Sequence, residues 1–174
     1  MKRFSVFLLA LAVSSTSFAQ AAPESADAIL RQASEQAVRE NKNLFVIFHA
    51  SWCGWCHKMD TAMNDAAVKS YFDDNYVVRH LTVHESKGKE NLENPGALAL
   101  LQKYNGDNQG IPFWLIFDKH GKLLADSQIK PGENSGCPAS EPEVNYFVSV
   151  LKKTSPLTDA QLSLVHDRFR KNEQ

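Results

Sequence analysis

The stretch "HASWCGWCHKMD" holds the side chains of this sequence that are best suited to chemistry. Cys53 and Cys56 are separated by two residues, and His57 follows directly. A Cys-x-x-Cys pair can serve as a dithiol redox site, whereas Cys-x-x-Cys-His is also the attachment motif of c-type haem. The two chemistries need different surroundings, so the elements that carry the motif decide between them.

The residues before the motif predict the arrangement that a dithiol site needs. The run "LFVIFHA" (Leu44 to Ala50) is apolar and rich in β-branched and aromatic residues, which predicts a buried strand. A helix that starts near the cysteines would place Cys53 at its N-terminus, where free backbone N–H groups and the helix dipole favour a thiolate. Cys56 would lie one turn further in and deeper. We therefore predict an exposed, nucleophilic Cys53, a resolving Cys56 and a redox disulfide between them.

The N-terminal residues predict export. Lys2 and Arg3 precede an apolar run from Phe4 to Val13 and a segment of small residues, which is the layout of a secretory signal peptide. We assign residues 1–21 to this peptide and residues 22–174 to one mature domain. A bacterial periplasm is the expected compartment, and secretion is the less favoured alternative.

Composition narrows the function further. The formal net charge is −1 at pH 7 without a basic stripe, so nucleic acid is not an expected partner. Disulfides persist in exported proteins, yet the chain has only three cysteines. So few cysteines indicate redox chemistry rather than a disulfide scaffold.

Strands and helices alternate along the mature chain. The patterns predict the order helix, strand, helix, strand, helix, strand, strand, helix, with a last helix appended. A second short helix, capped at residues 64–65 and carrying residues 66–72, is predicted after the cysteine helix, and residues 130–140 are predicted as a long loop. Capping-box spacing marks the last two helices at Ser140 and Thr158. This order predicts an α/β fold with a central mixed β-sheet flanked by helices, a core of about 28–151 and a helical extension over 156–174.

Three segments together resemble thioredoxin: "FVIFHASWCGWC", "QGIPFWLIF" and "DKHGKLL". That family has a strand, then Trp-Cys-x-x-Cys on a helix, and later a Gly-Ile-Pro that opens the next strand. The resemblance runs from about Ala28 to Leu151 and is closest to exported thioredoxin-like proteins with a second short helix. It implies the thioredoxin fold and a thiol–disulfide oxidoreductase activity.

The resemblance also implies a substrate-docking surface around the cysteines. It makes Pro112 a cis-proline and lets the backbone of Ile111 pair with an extended substrate segment. Trp52, Gly54 and Trp55 complete this surface. The expected substrates are exported proteins that contain cysteines, together with a membrane partner that supplies or removes electrons. No organic cofactor is required.

Two positions depart from the thioredoxin pattern. Many thioredoxins carry a buried acid six residues before the first cysteine, where it assists proton transfer at the second, but this chain has Ile47 there. The dipeptide between the cysteines is Gly54-Trp55 instead of Gly-Pro, and family members span a wide range of redox potentials. The direction of electron flow therefore stays open, although the Gly-Ile pair before Pro112 favours a reductant.

Cys137 has two interpretations. As a lone thiol in the loop before the helix that starts near Ser140, it is a partly buried, inert residue. In the thioredoxin fold, however, this loop lies on the edge that carries the redox pair. Cys137 is then an accessory thiol that forms a second disulfide within or between chains.

Three rival functions complete the predictions. A c-type haem-binding electron carrier would use Cys53, Cys56 and His57. Such a domain, however, is mainly helical and usually has a helix, not an apolar strand, before the motif. In the dithiol interpretation, His57 lies on the helix surface and supports the thiolate when it is protonated. A metal site built from the cysteines with His49, His57 or His84 lacks the expected ligand spacing, so no metal is predicted. The third rival is a redox-inactive binding module with the same fold.

Overall fold

The computed structural model of the chain describes residues 22–173, so the predicted signal peptide and Gln174 lie outside the described residues. The described chain forms α-helices, β-strands and two short 3₁₀ turns. The helices are α1 (Ala26–Glu40), α2 (Gly54–Met63), α3 (Lys69–Asn75), α4 (Ala97–Lys103), α5 (Glu141–Thr154) and α6 (Asp159–Arg170). The strands are β1 (Asn43–His49), β2 (Tyr76–Thr82), β3 (Phe113–Phe117), β4 (Leu123–Asp126), β5 (Gln128–Lys130) and β6 (Glu133–Asn134). The 3₁₀ turns cover Glu90–Leu92 and Lys171–Glu173.

A four-stranded mixed sheet in the order β2–β1–β3–β4 forms the centre. Strands β1 and β2 are parallel, while β3 runs antiparallel to β1 and to β4. The two central strands are apolar along nearly their whole length because helices cover both faces of the sheet. The predicted α/β class with a central mixed sheet is confirmed.

Each face of the sheet has its own hydrophobic core. On one face, Phe45 and Ile47 of β1 pack with side chains from α2, α3, α5 and α6. On the other face, Val46 and Phe48 pack with side chains from α1 and α4. Successive side chains of a strand point to opposite faces, so β1 anchors both layers. The helix that carries the cysteines belongs to the first layer.

The appended helix α6 completes the first core. Leu162, Val165 and Phe169 of α6 are buried. The ring centroid of Phe169 lies 4.7 Å from that of Phe147 and 6.2 Å from that of Phe72. Burial of a large apolar side chain contributes roughly 1.5–3 kcal/mol. The extension is therefore part of the folded unit and not a separate tail.

Both predicted capping boxes are present. At the start of α5, the carboxylate of Glu143 accepts a hydrogen bond from the backbone N–H of Ser140 at 2.9 Å. At the start of α6, the hydroxyl of Thr158 accepts from the N–H of Gln161 at 3.3 Å, and the Gln161 amide oxygen accepts from the N–H of Thr158 at 2.9 Å. These bonds satisfy N–H groups that have no partner inside the helix.

Two segments differ from the sequence prediction. The short helix after α2 begins at Lys69 rather than near Ala66, because the Asp65 carboxylate accepts a hydrogen bond from the N–H of Ala67 at 3.0 Å and holds a turn there. The segment 130–140, predicted as a loop, contains β6, which pairs with β5 in a small hairpin. Strands this short leave too little alternation to be recognised in the sequence.

Candidate active site

Strand β1 delivers Cys53 to the start of α2. The chain leaves the sheet after His49 and reaches Cys53 as the N-cap residue of α2. The sulfur of Cys53 accepts a hydrogen bond from the backbone N–H of Cys56 at 3.1 Å. Cys53 therefore lies where the free N–H groups of the first helical turn concentrate partial positive charge, which stabilises a thiolate.

Cys53 and Cys56 are joined in a disulfide. Both are buried, with 3% and 1% of their surfaces exposed. The expectation of an exposed Cys53 is wrong for this disulfide form, because Ala50 and Ile111 pack against the pair. The surface around the disulfide is formed instead by its neighbours in the motif.

Two tryptophans supply most of that surface. Trp52 is 56% exposed and Trp55 is 49% exposed, which is unusual for side chains of this size. The indole N–H of Trp52 donates to the carbonyl of His84 at 2.8 Å, and the ammonium of Lys58 lies 4.6 Å from the ring centroid of Trp55. These contacts fix both rings on either side of Gly54, which is exposed as well.

The Ile111–Pro112 segment faces the disulfide. The peptide bond between these residues is cis, the isomer that the resemblance implies. The carbonyl oxygen of Ile111 lies 3.5 Å from the sulfur of Cys53. The segment leads directly into β3, so the central sheet holds it in place.

Asn134 holds this segment from the other side, and sequence reasoning missed it. Its side-chain N–H groups lie 3.2 Å from the carbonyl oxygens of Gln109 and Gly110 and 3.1 Å from that of Pro112. Its amide oxygen accepts from the N–H of Gly136 at 3.0 Å. Through Asn134, the small hairpin acts as a clamp on the loop before β3. The only sign of this role in the sequence is an asparagine between residues that are typical of turns.

A protein-family model described as thioredoxin-like matches residues 26–119, more than half of the chain. The chain belongs to the thioredoxin-like family. Family membership and the Cys53–Cys56 disulfide together indicate a thiol–disulfide oxidoreductase, which confirms the predicted enzyme class.

Several solved structures align with this chain. A disulphide isomerase from Xylella fastidiosa Temecula1 aligns with a TM-score of 0.51 at 19% identity, covering 95% of this chain and 100% of that chain. DsbH oxidoreductase aligns at 0.45 and 22% identity, covering 83% of this chain and 95% of that one. The C-terminal domain of DsbD from Neisseria meningitidis, in the oxidised form, aligns at 0.47 and 18%, covering 77% and 100%. The family match and the first alignment confirm the predicted thioredoxin fold with its C-terminal helix.

This thioredoxin-like domain has an apolar residue where many relatives carry the buried acid. Ile47 is buried in the core and lies opposite His80 in the β1–β2 register. The Nε2 of His80 is 2.8 Å from a carboxylate oxygen of Asp60, and the rings of His80 and His49 are 4.9 Å apart. Ionisable side chains are therefore present on this face of the sheet. They lie on α2, on β2 and at the end of β1 instead of at position 47.

His57 contacts the turn that precedes the disulfide. Its Nε2 lies 3.1 Å from the carbonyl oxygen of Ser51, and the carboxylate of Glu85 accepts from the backbone N–H of Ser51 at 2.6 Å and from its hydroxyl at 2.8 Å. The His57 and Glu85 side chains thus both bind the turn at Ser51 that precedes Cys53. Electrostatic support of the thiolate by His57 stays a prediction.

Cys137 is a free thiol with 5% of its surface exposed. Burial raises the pKa of Cys137 to about 12. The side-chain amide of Asn172 covers the sulfur at 3.4 Å. This environment favours the inert interpretation of Cys137 over the accessory thiol.

Residues 22–173 contain neither a metal-binding cluster nor a membrane-spanning helix. Within this range, no three histidine, cysteine or acidic side chains are grouped so that they could hold a metal ion. No helix in the same range is long and apolar enough to cross a membrane.

Proposed function

We propose that this protein is a periplasmic oxidoreductase that exchanges disulfides with exported proteins containing cysteines. The observation that carries the proposal is the Cys53–Cys56 disulfide at the N-terminus of α2, beside the carbonyl of Ile111. The signal-peptide pattern at the N-terminus supports export.

The exchange proceeds in two steps. In the reducing direction, the Cys53 thiolate attacks a substrate disulfide, and one substrate sulfur leaves as a thiolate. Cys56 then loses its proton and attacks Cys53, so that the Cys53–Cys56 bond forms and the second substrate sulfur leaves. Two electrons pass to the substrate, and the reverse sequence oxidises a substrate dithiol. A second thiol–disulfide partner in the same compartment must restore the starting state.

The docking surface consists of Trp52, Gly54, Trp55, Ile111 and Pro112. The exposed indoles offer apolar area beside the disulfide, and the backbone of Ile111 is placed to pair with an extended segment. Such a surface suits flexible or unfolded chains, since it recognises backbone more than sequence.

The activity is tested by insulin reduction with dithiothreitol as electron donor. We expect residues 22–174 to accelerate insulin precipitation, and the double variant C53S/C56S to match the uncatalysed rate. Equal rates for the wild type and the double variant would contradict the proposal. Equilibration of the wild type with glutathione then measures the potential and so the direction of electron flow.

Export and cofactor content are tested by intact mass. We expect protein recovered from the periplasmic fraction to lack residues 1–21 and to gain two alkylated thiols at Cys53 and Cys56 only after reduction. A retained N-terminus would contradict export, and a covalent haem mass would contradict the dithiol site.

A further inference from the structure

The resolving step requires an acceptor for a buried proton. Cys56 must lose its S–H proton before its sulfur attacks Cys53, but Cys56 is 1% exposed. Burial disfavours the charged form of a thiol. Ile47, on the neighbouring strand, is buried and apolar and cannot take up a proton. The acceptor must come from another element.

An ionisable pair lies one helical turn from Cys56. Asp60 follows Cys56 by four positions on α2, a spacing at which side chains are neighbours on the helix surface. The Nε2–H of His80 donates to the Asp60 carboxylate at 2.8 Å. The His80 and Asp60 side chains are 34% and 35% exposed, so the pair extends from the buried side of α2 to solvent.

Other ionisable groups surround this pair. Burial, together with the neighbouring His80 ring, holds the pKa of His49 below its ordinary value. His57 on α2 and Glu85 after β2 also act on His49 electrostatically. On α2, the ammonium of Lys58 donates to a backbone carbonyl of the C-terminal segment at 3.0 Å. His80 is therefore the histidine of this cluster that is held by a carboxylate.

We propose that the His80–Asp60 pair accepts the proton of Cys56 in the resolving step, an inference that rests on the proposed function. The Cys56 S–H bond breaks and its proton passes to Nδ1 of His80, the ring nitrogen that does not face Asp60. The Cys56 thiolate then forms the S–S bond with Cys53, and the electron pair of the broken Cys53–substrate bond leaves on the substrate sulfur. Asp60 is a positioning residue, since it orients the imidazole and stabilises the imidazolium that forms.

The aromatic disulfide DTNB separates the two steps in a stopped-flow experiment on the reduced protein. Attack by Cys53 releases the first coloured thiol at a rate that depends on DTNB concentration, and attack by Cys56 releases the second at a rate that does not. We expect H80Q and D60N to slow the second release about tenfold or more near pH 7, with the first release unchanged. Because hydroxide in solvent can also remove the Cys56 proton, the deficit should shrink as the pH is raised.

A matched control is available in His166, which lies 3.1 Å from a carboxylate oxygen of Glu141 on the surface of α6. H166Q should leave both releases unchanged, and the circular dichroism spectra of H80Q and D60N should match that of wild type. The inference is overturned if the second release stays within about twofold of wild type near pH 7, if both steps slow equally in folded variants, or if the deficit does not shrink as the pH is raised. A wild type that gives no second release would instead refute the proposed function itself.

Discussion

Cys53 and Cys137 both lie close to the Ile111–Pro112 segment, but in different surroundings. The Cys53 sulfur sits at the N-terminus of α2, 3.5 Å from the carbonyl oxygen of Ile111. Cys137 lies in the loop after Asn134, whose side chain donates to the carbonyl of Pro112. The side-chain amide of Asn172 covers the Cys137 sulfur. One position offers backbone N–H groups to a thiolate, while the other offers mainly apolar contacts and raises the pKa of its thiol to about 12. The comparison shows that reactivity here depends on local backbone geometry, since the residue type and region are the same.

The largest expected effect separates the two cysteines by activity. C53S should reduce insulin reduction to the uncatalysed rate, because the two remaining thiols, Cys56 and Cys137, are buried and cannot attack the substrate. C137S should keep wild-type turnover. Substantial loss of activity in C137S, measured in the same insulin assay with an intact fold by circular dichroism, would make Cys137 part of the reaction.

Alkylation rates measure the second difference between the two cysteines, which is how readily each thiol ionises. With a pKa of about 12 against an ordinary 9.0, the thiolate fraction of native Cys137 near pH 8 should be about a thousandfold lower than that of a free cysteine. Iodoacetamide should therefore modify reduced Cys53 quickly and Cys137 only after unfolding, as peptide mass spectrometry would show. Equal modification rates for the two native cysteines would erase the contrast.

The same burial gives folding a pH dependence with a definite sign. The folded state holds the Cys137 proton more tightly than the unfolded chain, so this contribution to stability is fully present below about pH 8.5 and is lost as the pH rises toward 12. Urea unfolding of wild type and C137A should show a stability gap that narrows between about pH 7 and about pH 10. A constant gap would mean that the thiol is already ionised or exposed.

A fourth prediction concerns the clamp between the two regions. N134A removes side-chain bonds to three carbonyl oxygens and should lower the free energy of unfolding by about 1–3 kcal/mol. The loosened Ile111–Pro112 segment should also raise the KM for insulin. N145A, which removes only an exposed bond to Glu141, is the control and should change neither quantity. Unchanged KM in N134A would show that docking does not depend on the clamp.

The smallest expected effect reaches Cys137 through α6. T158A removes the N-cap hydroxyl of α6 and should cost about 1 kcal/mol in urea unfolding. Because Asn172 follows α6 and covers the Cys137 sulfur, native alkylation of Cys137 should become measurably faster. S163A, an exposed change in the same helix, should not alter the labelling rate. If Cys137 is alkylated at the same rate in T158A and S163A, the stability of α6 does not control the protection of the Cys137 thiol.

Much of the architecture could be predicted because local signals coincide with it. The apolar run from Leu44 to Phe48 became the central strand, and the capping boxes at Ser140 and Thr158 start α5 and α6. The cysteine spacing and its position after a strand located the site. These features depend on residues close together in the chain, where periodicity and capping chemistry act.

The features that escaped prediction depend on distant contacts. Asn134 meets the loop before β3 only after the small hairpin forms, and the His80–Asp60 pair joins β2 to α2 across twenty positions. The burial of Cys53 likewise follows from Ile111, which is distant in sequence. Contacts between residues that are distant in sequence leave no local pattern. The sequence therefore predicts the reacting cysteines better than the residues that position them.

The position of α6 in the first core affects the order in which the molecule can be completed. Synthesis and any passage across a membrane run from the N-terminus, so Phe169, which packs on Phe147 and Phe72, arrives after the other side chains of its core. Until then, the core beneath α2 and the Cys137 thiol lack the cover that α6 and Asn172 provide. A chain that emerges residue by residue would therefore pass through an interval in which Cys137 is open to oxidants, and the arrival of Asn172 ends that interval.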